Sequence, residues 1–242
     1  MKATAAVTLP QQRTPEQPPA AELRYVTLAT HRRHRHQLVL DNVNVTIHRG
    51  EVMSVLSRHD AAASTLLDLL DGRAEPSWGS VQVAGHEVTR LGRHDLAQLK
   101  HEHIARVLPA YGVHAKLTVR QNLIVAQRRS GRAIDLDWVD TVADLMGLSG
   151  MLGYRSTDGA DARRARWAVA RAMVLRPSLV LANDITAGLE RTEEQELMSR
   201  LTAAASEAGA GVVLATRDPI TASATNRVLL LSRGRVSDDT AA

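Results

Sequence analysis

The segment Ser57–Thr65 follows a short apolar stretch and is a candidate phosphate-binding loop. Loops of this kind have the form GxxxxGK[ST], in which glycines let backbone N–H groups turn onto a phosphate and the lysine neutralises its charge. The hydroxyl of the final serine or threonine holds Mg²⁺. In this sequence, Ser64 and Thr65 match the end of the motif.

The other positions of this motif carry residues that are poorly suited to phosphate. Ser57 and Ala62 stand at the two glycine positions, and Ala63 stands at the lysine position. Asp60 lies inside the loop, where a carboxylate would repel a phosphate. A run of alanines also favours a helix over an open loop. We therefore expect no bound cofactor at this segment.

A second polar pair follows the apolar stretch Leu179–Ala182. This pair is Asn183 and Asp184, of which only Asp184 carries a charge. With only one charged side chain in this pair, we expect no complete metal site.

The run His31–His36 (HRRHRH) is basic throughout. Nothing in the sequence fixes the geometry that a metal site would need, so we interpret the run as a solvated loop between two strands. A patch that faces anionic lipid or a partner is the alternative.

The composition sets limits on the class of protein. The net charge is +4 and the sequence pI is about 9.9, a small excess that ordinary solvated surface accounts for, so we do not expect nucleic acid as a partner. Cysteine is absent, which fits a reducing compartment. The sequence has no apolar run of about 18 residues or more and no signal-peptide core near its start. These features predict a cytoplasmic protein.

Apolar strands alternate with helices along the chain, which indicates an α/β fold with a largely parallel sheet. Residues 1–21 contain Pro10, Pro15, Pro18 and Pro19 and predict a disordered leader. Ser57–Ala63 is predicted as a loop. The predicted strands are Glu22–Thr30, Leu38–Ile47, Glu51–Leu56, Ser80–Val88, His103–Leu108, Leu179–Ala182, Gly211–Thr216 and Arg227–Ser232. The predicted helices are Ser64–Asp71, Val119–Arg129, Asp135–Met146, Arg163–Leu175, Glu190–Ala208 and Pro219–Thr225.

Several segments, in their order and spacing, resemble those of ABC-transporter ATPase subunits, and most of all the branch that serves lipoprotein-release, macrolide-export and cell-division permeases. The resemblance runs from about Leu23 to Val236. The segments that carry it are Arg49-Gly50-Glu51, Ser64-Thr65-Leu66-Leu67, Leu117-Thr118-Val119, Arg166–Met173, Leu179–Leu189 and Arg233–Val236.

This resemblance implies an ABC-ATPase-like P-loop fold in which a mixed sheet core carries an inserted helical subdomain. The core would comprise residues 22–108 and 177–236, and the helical subdomain residues 109–176. Residues 237–242 would form a tail.

The resemblance also implies roles for particular positions. The family ends its Walker B strand in Asp-Glu, for Mg²⁺ and general base catalysis, and those positions hold Asn183 and Asp184. The resemblance thus leaves Ser64 and Asp184 as the residual candidates for holding a metal ion. The switch histidine corresponds to Arg217 and the Q-loop glutamine to Pro109, which has no N–H and no polar side chain. The aromatic residue that stacks on adenine would fall near Thr30.

The family's signature loop, LSGGQ, contacts the γ-phosphate held by a partner subunit. It corresponds here to Gly159, Ala160, Asp161, Ala162 and Arg163, which lack the serine hydroxyl and both glycines. Asp161 would face a triphosphate, and the arginines that follow would balance it in part.

Three interpretations follow. The first is a pseudo-ATPase subunit at the inner face of the membrane, docked on an integral-membrane permease through a groove near Tyr111–Leu117 and Val119–Leu123. It could pair with itself or with a competent ATPase subunit. The second is a working ATPase that binds ATP and Mg²⁺ through unusual residues. The third is a free-standing basic protein that binds nucleic acid or anionic lipid.

Overall fold

The computed structural model describes residues 17–32, 35–57, 60–108, 114, 116–155 and 161–241, which form an α/β fold. The strands are β1 (Ala21–Arg32), β2 (Arg35–Ile47), β3 (Val52–Leu56), β4 (Trp78–Val83), β5 (His86–Glu87), β6 (Ile104–Val107), β7 (Leu179–Asn183), β8 (Gly211–Thr216), β9 (Arg227–Ser232) and β10 (Arg235–Ala241). The helices are α1 (Asp60–Leu70), α2 (Arg93–His103), α3 (Val119–Arg129), α4 (Leu136–Leu145), α5 (Asp161–Met173), α6 (Arg191–Ala208) and α7 (Pro219–Ser223).

Two sheets organise these elements. A four-stranded antiparallel sheet has the order β2-β1-β4-β5, and a six-stranded sheet has the order β10-β9-β3-β8-β7-β6. Strands β9, β3, β8, β7 and β6 are parallel, and β10 adds an antiparallel edge. The larger sheet is therefore mixed, as the sequence predicts.

Helix α1 lies in the apolar layer that joins the two sheets. Its Leu66, Leu67 and Leu70 are buried in one core cluster with Leu23 of β1 and Val55 of β3. Burial of each such side chain contributes about 1.5–3 kcal/mol before the entropy of ordering is subtracted. This cluster fixes α1 at the carboxyl end of β3.

The helical region packs on the other face of the larger sheet. A second core cluster joins Val139 of α4, Met173 of α5 and Leu201 of α6 with Val180 and Val212 of the sheet. Thr118 caps α3 in a capping box with Gln121, whose backbone N–H it accepts at 3.2 Å. No helix within the described ranges is long and apolar enough to cross a membrane.

Most elements predicted from the sequence are confirmed, and Val119–Arg129 and Gly211–Thr216 have the predicted bounds. Two elements were missed. Helix α2 is polar on most sides, with only Leu99 buried, so it carries almost no apolar periodicity. Strand β10 extends into residues 237–242, which were predicted as a tail, because it pairs with the apolar strand β9.

One predicted boundary near the nucleotide-site candidates is wrong. Residues 60–63 were assigned to a loop, but α1 begins at Asp60, so Ser64 and Thr65 lie inside the helix instead of capping it. Alanine has the highest helix propensity, and the alanines of this stretch extend the helix toward β3.

The leader is also shorter than predicted. Ala20 and Ala21 are buried, and Ala21 begins β1. Arg49 holds the chain at Pro18 through a 3.0 Å hydrogen bond from its Nε to the carbonyl oxygen. Residues 1–16 lie outside the described residues. The assignment of residues 22–108, 177–236 and 109–176 to core and helical subdomain stays a prediction.

Candidate functional site

The carboxyl ends of three neighbouring parallel strands meet at one edge of the larger sheet. Strands β3, β8 and β7 are adjacent, with Leu56 opposite Thr216 and Asn183 opposite Ala215. In α/β folds the crevice outside this edge is the usual place for a ligand. The register therefore brings the residues after these strands together.

Ser57 continues β3 at this edge. Its backbone N–H donates to the carbonyl oxygen of Thr216 at 3.2 Å, and the residue is only 2% exposed. Helix α1 then begins at Asp60. Ala62 and Ala63, in the first turn of α1, are buried, and Ser64 and Thr65 are half-buried.

Asp184 follows β7 in an unusual backbone conformation. Its φ is +44°, in the left-handed region, and its N–H donates to the carbonyl oxygen of Ala215 at 2.9 Å. Aspartate tolerates this region better than most residues, and conformations of this kind are enriched at functional sites. The preceding Asn183 is exposed.

Arg217 and Asp184 form an ion pair across the ends of β8 and β7. The Nε atom of Arg217 lies 3.9 Å from Oδ2 of Asp184, and the two side chains are 62% and 34% exposed. A pair this exposed contributes little to stability, about 0–1 kcal/mol. The pair matters for the site itself, because it keeps a permanently charged guanidinium group beside the Asp184 carboxylate.

A second network of charges lies next to this pair. Nη1 of Arg191 is 2.6 Å from Oε2 of Glu194 and 3.0 Å from Oδ2 of Asp218. Asp218 caps α7 by accepting from the N–H of Ile220. This hydrogen bond and the Arg191 guanidinium lower the pKa of the Asp218 carboxyl. Glu194 is buried and also accepts from the Thr221 hydroxyl.

The two networks border one cleft of about 440 Å³ at the carboxyl edge of the sheet. The charged residues that line it are Asp184, Glu194, Asp218, Arg191 and Arg217. Three carboxylates thus face two guanidinium groups, a balance that does not favour a polyphosphate. Within the described ranges, no cluster of three His, Cys, Asp or Glu side chains could hold a metal ion.

The structure places the other sequence-predicted positions elsewhere. Asp161 begins α5, Ala162 is buried and Arg163 is half-buried, so these residues belong to the helical region and not to the sheet edge. Thr30 is half-buried in β1, opposite Gln37. Pro109 and Ala160 lie outside the described residues.

A further cleft, of about 220 Å³, was not found from the sequence. It lies between β6, α3 and α5, and its lining includes Arg106, Arg129 and Arg171. In the sequence, the residue that could have indicated this cleft is Arg171, because it interrupts the apolar stretch Trp167–Met173 of a buried helix. Arginine is almost never fully buried unless it is paired, so a charge at that place calls for an explanation.

The sequence pattern of the ABC transporter family matches residues 40–187 of this chain. The chain belongs to this family. The match includes β3, α1 and β7, and thus two of the three strands that form the candidate site.

Three relatives illustrate the family membership. Residues of this chain are 26% identical over 203 positions to the bacitracin export ATP-binding protein BceA of Halalkalibacterium halodurans, covering 83% of this chain and 80% of that protein. The lipoprotein-releasing system ATP-binding protein LolD of Chromohalobacter salexigens is 27% identical, with 83% and 86% covered. The macrolide export ATP-binding/permease protein MacB 1 of Aeromonas hydrophila is 30% identical over 83% of this chain, which spans 31% of that longer protein.

Solved ABC cassettes share the fold. A bacterial ABC transporter cassette solved as a dimer superposes with a TM-score of 0.75 and 22% identity, covering 91% of this chain and 98% of the cassette. The cbiO1 protein of Clostridium perfringens, part of the cbiONQ transporter complex, gives a TM-score of 0.79 at 20% identity, with 93% and 89% covered. At these identities the likeness establishes the α/β cassette fold.

Proposed function

We propose that this ABC transporter subunit does not hydrolyse ATP and acts as a structural or regulatory subunit docked on a permease. The ion pair between Arg217 and Asp184 is the observation that carries the proposal. Asp184 stands where the family has its catalytic glutamate, and Arg217 where it has its switch histidine. A guanidinium at this place competes with water for the carboxylate, so Asp184 is badly placed to act as a general base.

The start of α1 supports the same conclusion. The lysines of the chain are Lys2, Lys100 and Lys116, so none lies within Ser57–Thr65. Helix α1 begins at Asp60 and takes up the stretch that an open glycine loop would need for wrapping a phosphate.

The residues present do not fit ATP and Mg²⁺. Of the family's metal-binding positions, Ser64 keeps a hydroxyl, but Asn183 is neutral where an aspartate would attract the ion. Losing the lysine, the metal ligand and the base together should reduce turnover to background, since removal of one transition-state contact typically costs on the order of 10²–10³ in rate.

A permease is the partner that the relatives suggest. Their names describe export, release and import systems, and one relative carries its permease in the same chain. The lining of the cleft between β6, α3 and α5 includes His114 and Asn122, which belong to the two segments where the sequence predicts docking, and this supports a permease as the partner. Such a partner would place the chain at the inner face of the membrane.

Pairing with a competent ATPase subunit would not complete a site. In this family each site joins the P-loop of one chain to the signature loop of the other, and this chain departs from both motifs, at Ala62 and Ala63 and at Ala160–Ala162. We therefore propose that it forms no tight ATP-dependent dimer.

Phosphate release from Mg²⁺-ATP by the purified chain tests the proposal. We expect release at the level of buffer alone. The matched control is Asp184→Asn, which removes the charge of the only carboxylate at the catalytic position. Release that disappears in Asp184→Asn would overturn the proposal, whereas release that is equal in both proteins would identify a contaminating ATPase.

A further inference from the structure

The cleft between β6, α3 and α5 is lined by positive charge. Arg106 comes from β6, Arg129 from α3, Arg171 from α5 and His114 from the segment before α3. No aspartate or glutamate lies among its described lining residues. A concave site with one sign of charge and apolar walls concentrates the electric field and attracts the opposite charge.

Arg171 differs from the other cations of this cleft in its surroundings. Its side chain is half-buried, and the described part of the chain offers it no hydrogen bond and no ion pair. Burial lowers the pKa of its guanidinium, with no carboxylate acting in the opposite direction. Arg106, by contrast, is held by Asp68 at 3.3 Å and Asp71 at 3.0 Å.

The size and walls of the cleft indicate what would neutralise this charge. At about 220 Å³ the cleft lies below the range of about 300–1,000 Å³ that is usual for small-molecule sites. Its apolar walls include Val125, Ala126 and Leu175. A free phosphate would lose its hydration against such walls, whereas a side chain with an apolar stem and a carboxylate tip would fit them.

We propose that this cleft receives an aspartate or glutamate side chain of the permease segment that docks on the subunit, and that Arg171 is its main contact. The inference rests on the permease docking proposed above and names the chemistry of that contact. A guanidinium suits this role because it can bind a carboxylate through two parallel hydrogen bonds.

Asn122 connects His114 and Thr118 at one side of the cleft. Oδ1 of Asn122 accepts from the backbone N–H of His114 at 2.7 Å. Nδ2 of Asn122 donates to the carbonyl oxygens of Thr118 at 3.0 Å and His114 at 3.2 Å. Asn122 thereby ties His114 to the start of α3 and holds this side of the cleft next to the helix.

An uncompensated, half-buried cation should destabilise the subunit on its own. Replacement by an apolar side chain of similar length removes the desolvation of the charge while keeping the packing. We therefore expect Arg171→Met to melt at the same temperature as the natural chain or higher. A clear fall in melting temperature would show that Arg171 is a structural residue and would overturn the inference.

Binding is tested with two amphipathic helical peptides that differ only in one central Glu or Gln. The readout is the ¹⁵N–¹H signal of the Arg171 Nε group during titration of the full chain. We expect a saturable shift with the Glu peptide and affinity lower by about tenfold or more, equivalent to about 1.4 kcal/mol, for the Gln peptide. Arg171→Met should bind both peptides equally, Arg171→Lys should recover part of the difference, and the control Arg128→Gln, on the same helix as Arg129 but outside the cleft, should behave as the natural chain.

Inorganic phosphate and acetate form the remaining arms of the experiment. Saturation by phosphate with no preference for the Glu peptide would identify a free-anion site and overturn the inference. Equal binding of the two peptides by the natural chain would show that the cleft docks a helix without using a carboxylate, so this inference would fail while the proposed permease docking would stand. Binding of neither peptide would count against the inference as well, and the proposed lack of ATP hydrolysis would not be affected by it.

Discussion

The buried carboxylate of Asp71, directly after α1, forms ion pairs with three cations. Asp71 has a side chain only 6% exposed and lies 2.6 Å from Arg73, 3.0 Å from Arg106 and 3.8 Å from Lys100. Asp71→Asn would leave the half-buried Arg106 with only Asp68, so we expect the free energy of unfolding to fall by about 1–3 kcal/mol.

Chemical denaturation measures this change, and Asp140→Asn is the matched control. Asp140 pairs with Arg120 at 2.8 Å, but both side chains are more than a third exposed, so the change should stay within about 1 kcal/mol. Equal losses in the two variants would contradict the role given to Asp71.

His103 links the start of β6 to the start of β7 and makes stability depend on pH. Its Nδ1 lies 3.0 Å from Oγ of Ser178. Burial lowers the pKa of His103, the cations Arg49 and Arg132 and the ring of His86 lower it further, and Glu102 acts in the opposite direction. In the unfolded chain the histidine regains its ordinary pKa of about 6.5.

Below about pH 6.5 the unfolded chain therefore binds a proton that the folded chain does not. We expect the melting temperature to fall as the pH decreases from 7 to 5, and to fall less in His103→Gln. The exposed His101 on α2 supplies the control, since His101→Gln should keep the pH dependence of the natural chain. A pH profile unchanged by His103→Gln would exclude this histidine as the cause.

At the scale of elements, we expect the start of β1 to divide residues that can be deleted without loss of stability from residues that stabilise the fold. Ala20 is fully buried, its carbonyl oxygen accepts from the N–H of Ala84, and its Cβ packs so closely on Gly211 that no side chain would fit there. Deletion of residues 1–16 should leave the melting temperature unchanged, whereas deletion of residues 1–21 should lower it by several degrees.

Thermal melts of the two deletions decide this point. Loss of stability on removal of residues 1–16 would mean that they pack on the domain. Unchanged stability on removal of residues 1–21 would mean that the contacts of Ala20 contribute little.

The elements with strong apolar patterning were predictable from the sequence, and those without it were not. Strands such as β7 and β8 are almost continuously apolar, as buried parallel strands are. Helix α2 was missed because most of its surface is exposed and polar. The predicted start of α1 lies four residues too late, because the phosphate-loop motif predicted a loop where the helix propensity of the alanines extends the helix. The order of the strands predicts that Ser57, Asp184 and Arg217 lie at the same edge of the sheet. The ion pair between Asp184 and Arg217 could be seen only in the structure. The cleft at Arg171 depends on three elements that are distant in the sequence, and only the isolated charge pointed to it.

At the scale of the whole molecule, the described residues form an ABC cassette fold around a sheet edge that we propose to be inactive. The residues of both core clusters are buried, and the strands that position the site pair in parallel register. A buried, well-formed core beside a site that we propose to be inactive is what a subunit retained for docking would show.

The most direct test of this account is a calorimetric titration of the full chain with ATP in the presence of Mg²⁺. The control is the variant Ser57→Gly, Ala62→Gly, Ala63→Lys, which restores the glycines and the lysine of the motif, and circular dichroism verifies that it is folded. We predict no saturable heat for the natural chain, which corresponds to a Kd weaker than about 1 mM, and measurable binding by the folded variant. A micromolar Kd for the natural chain would contradict the account, whatever the variant does.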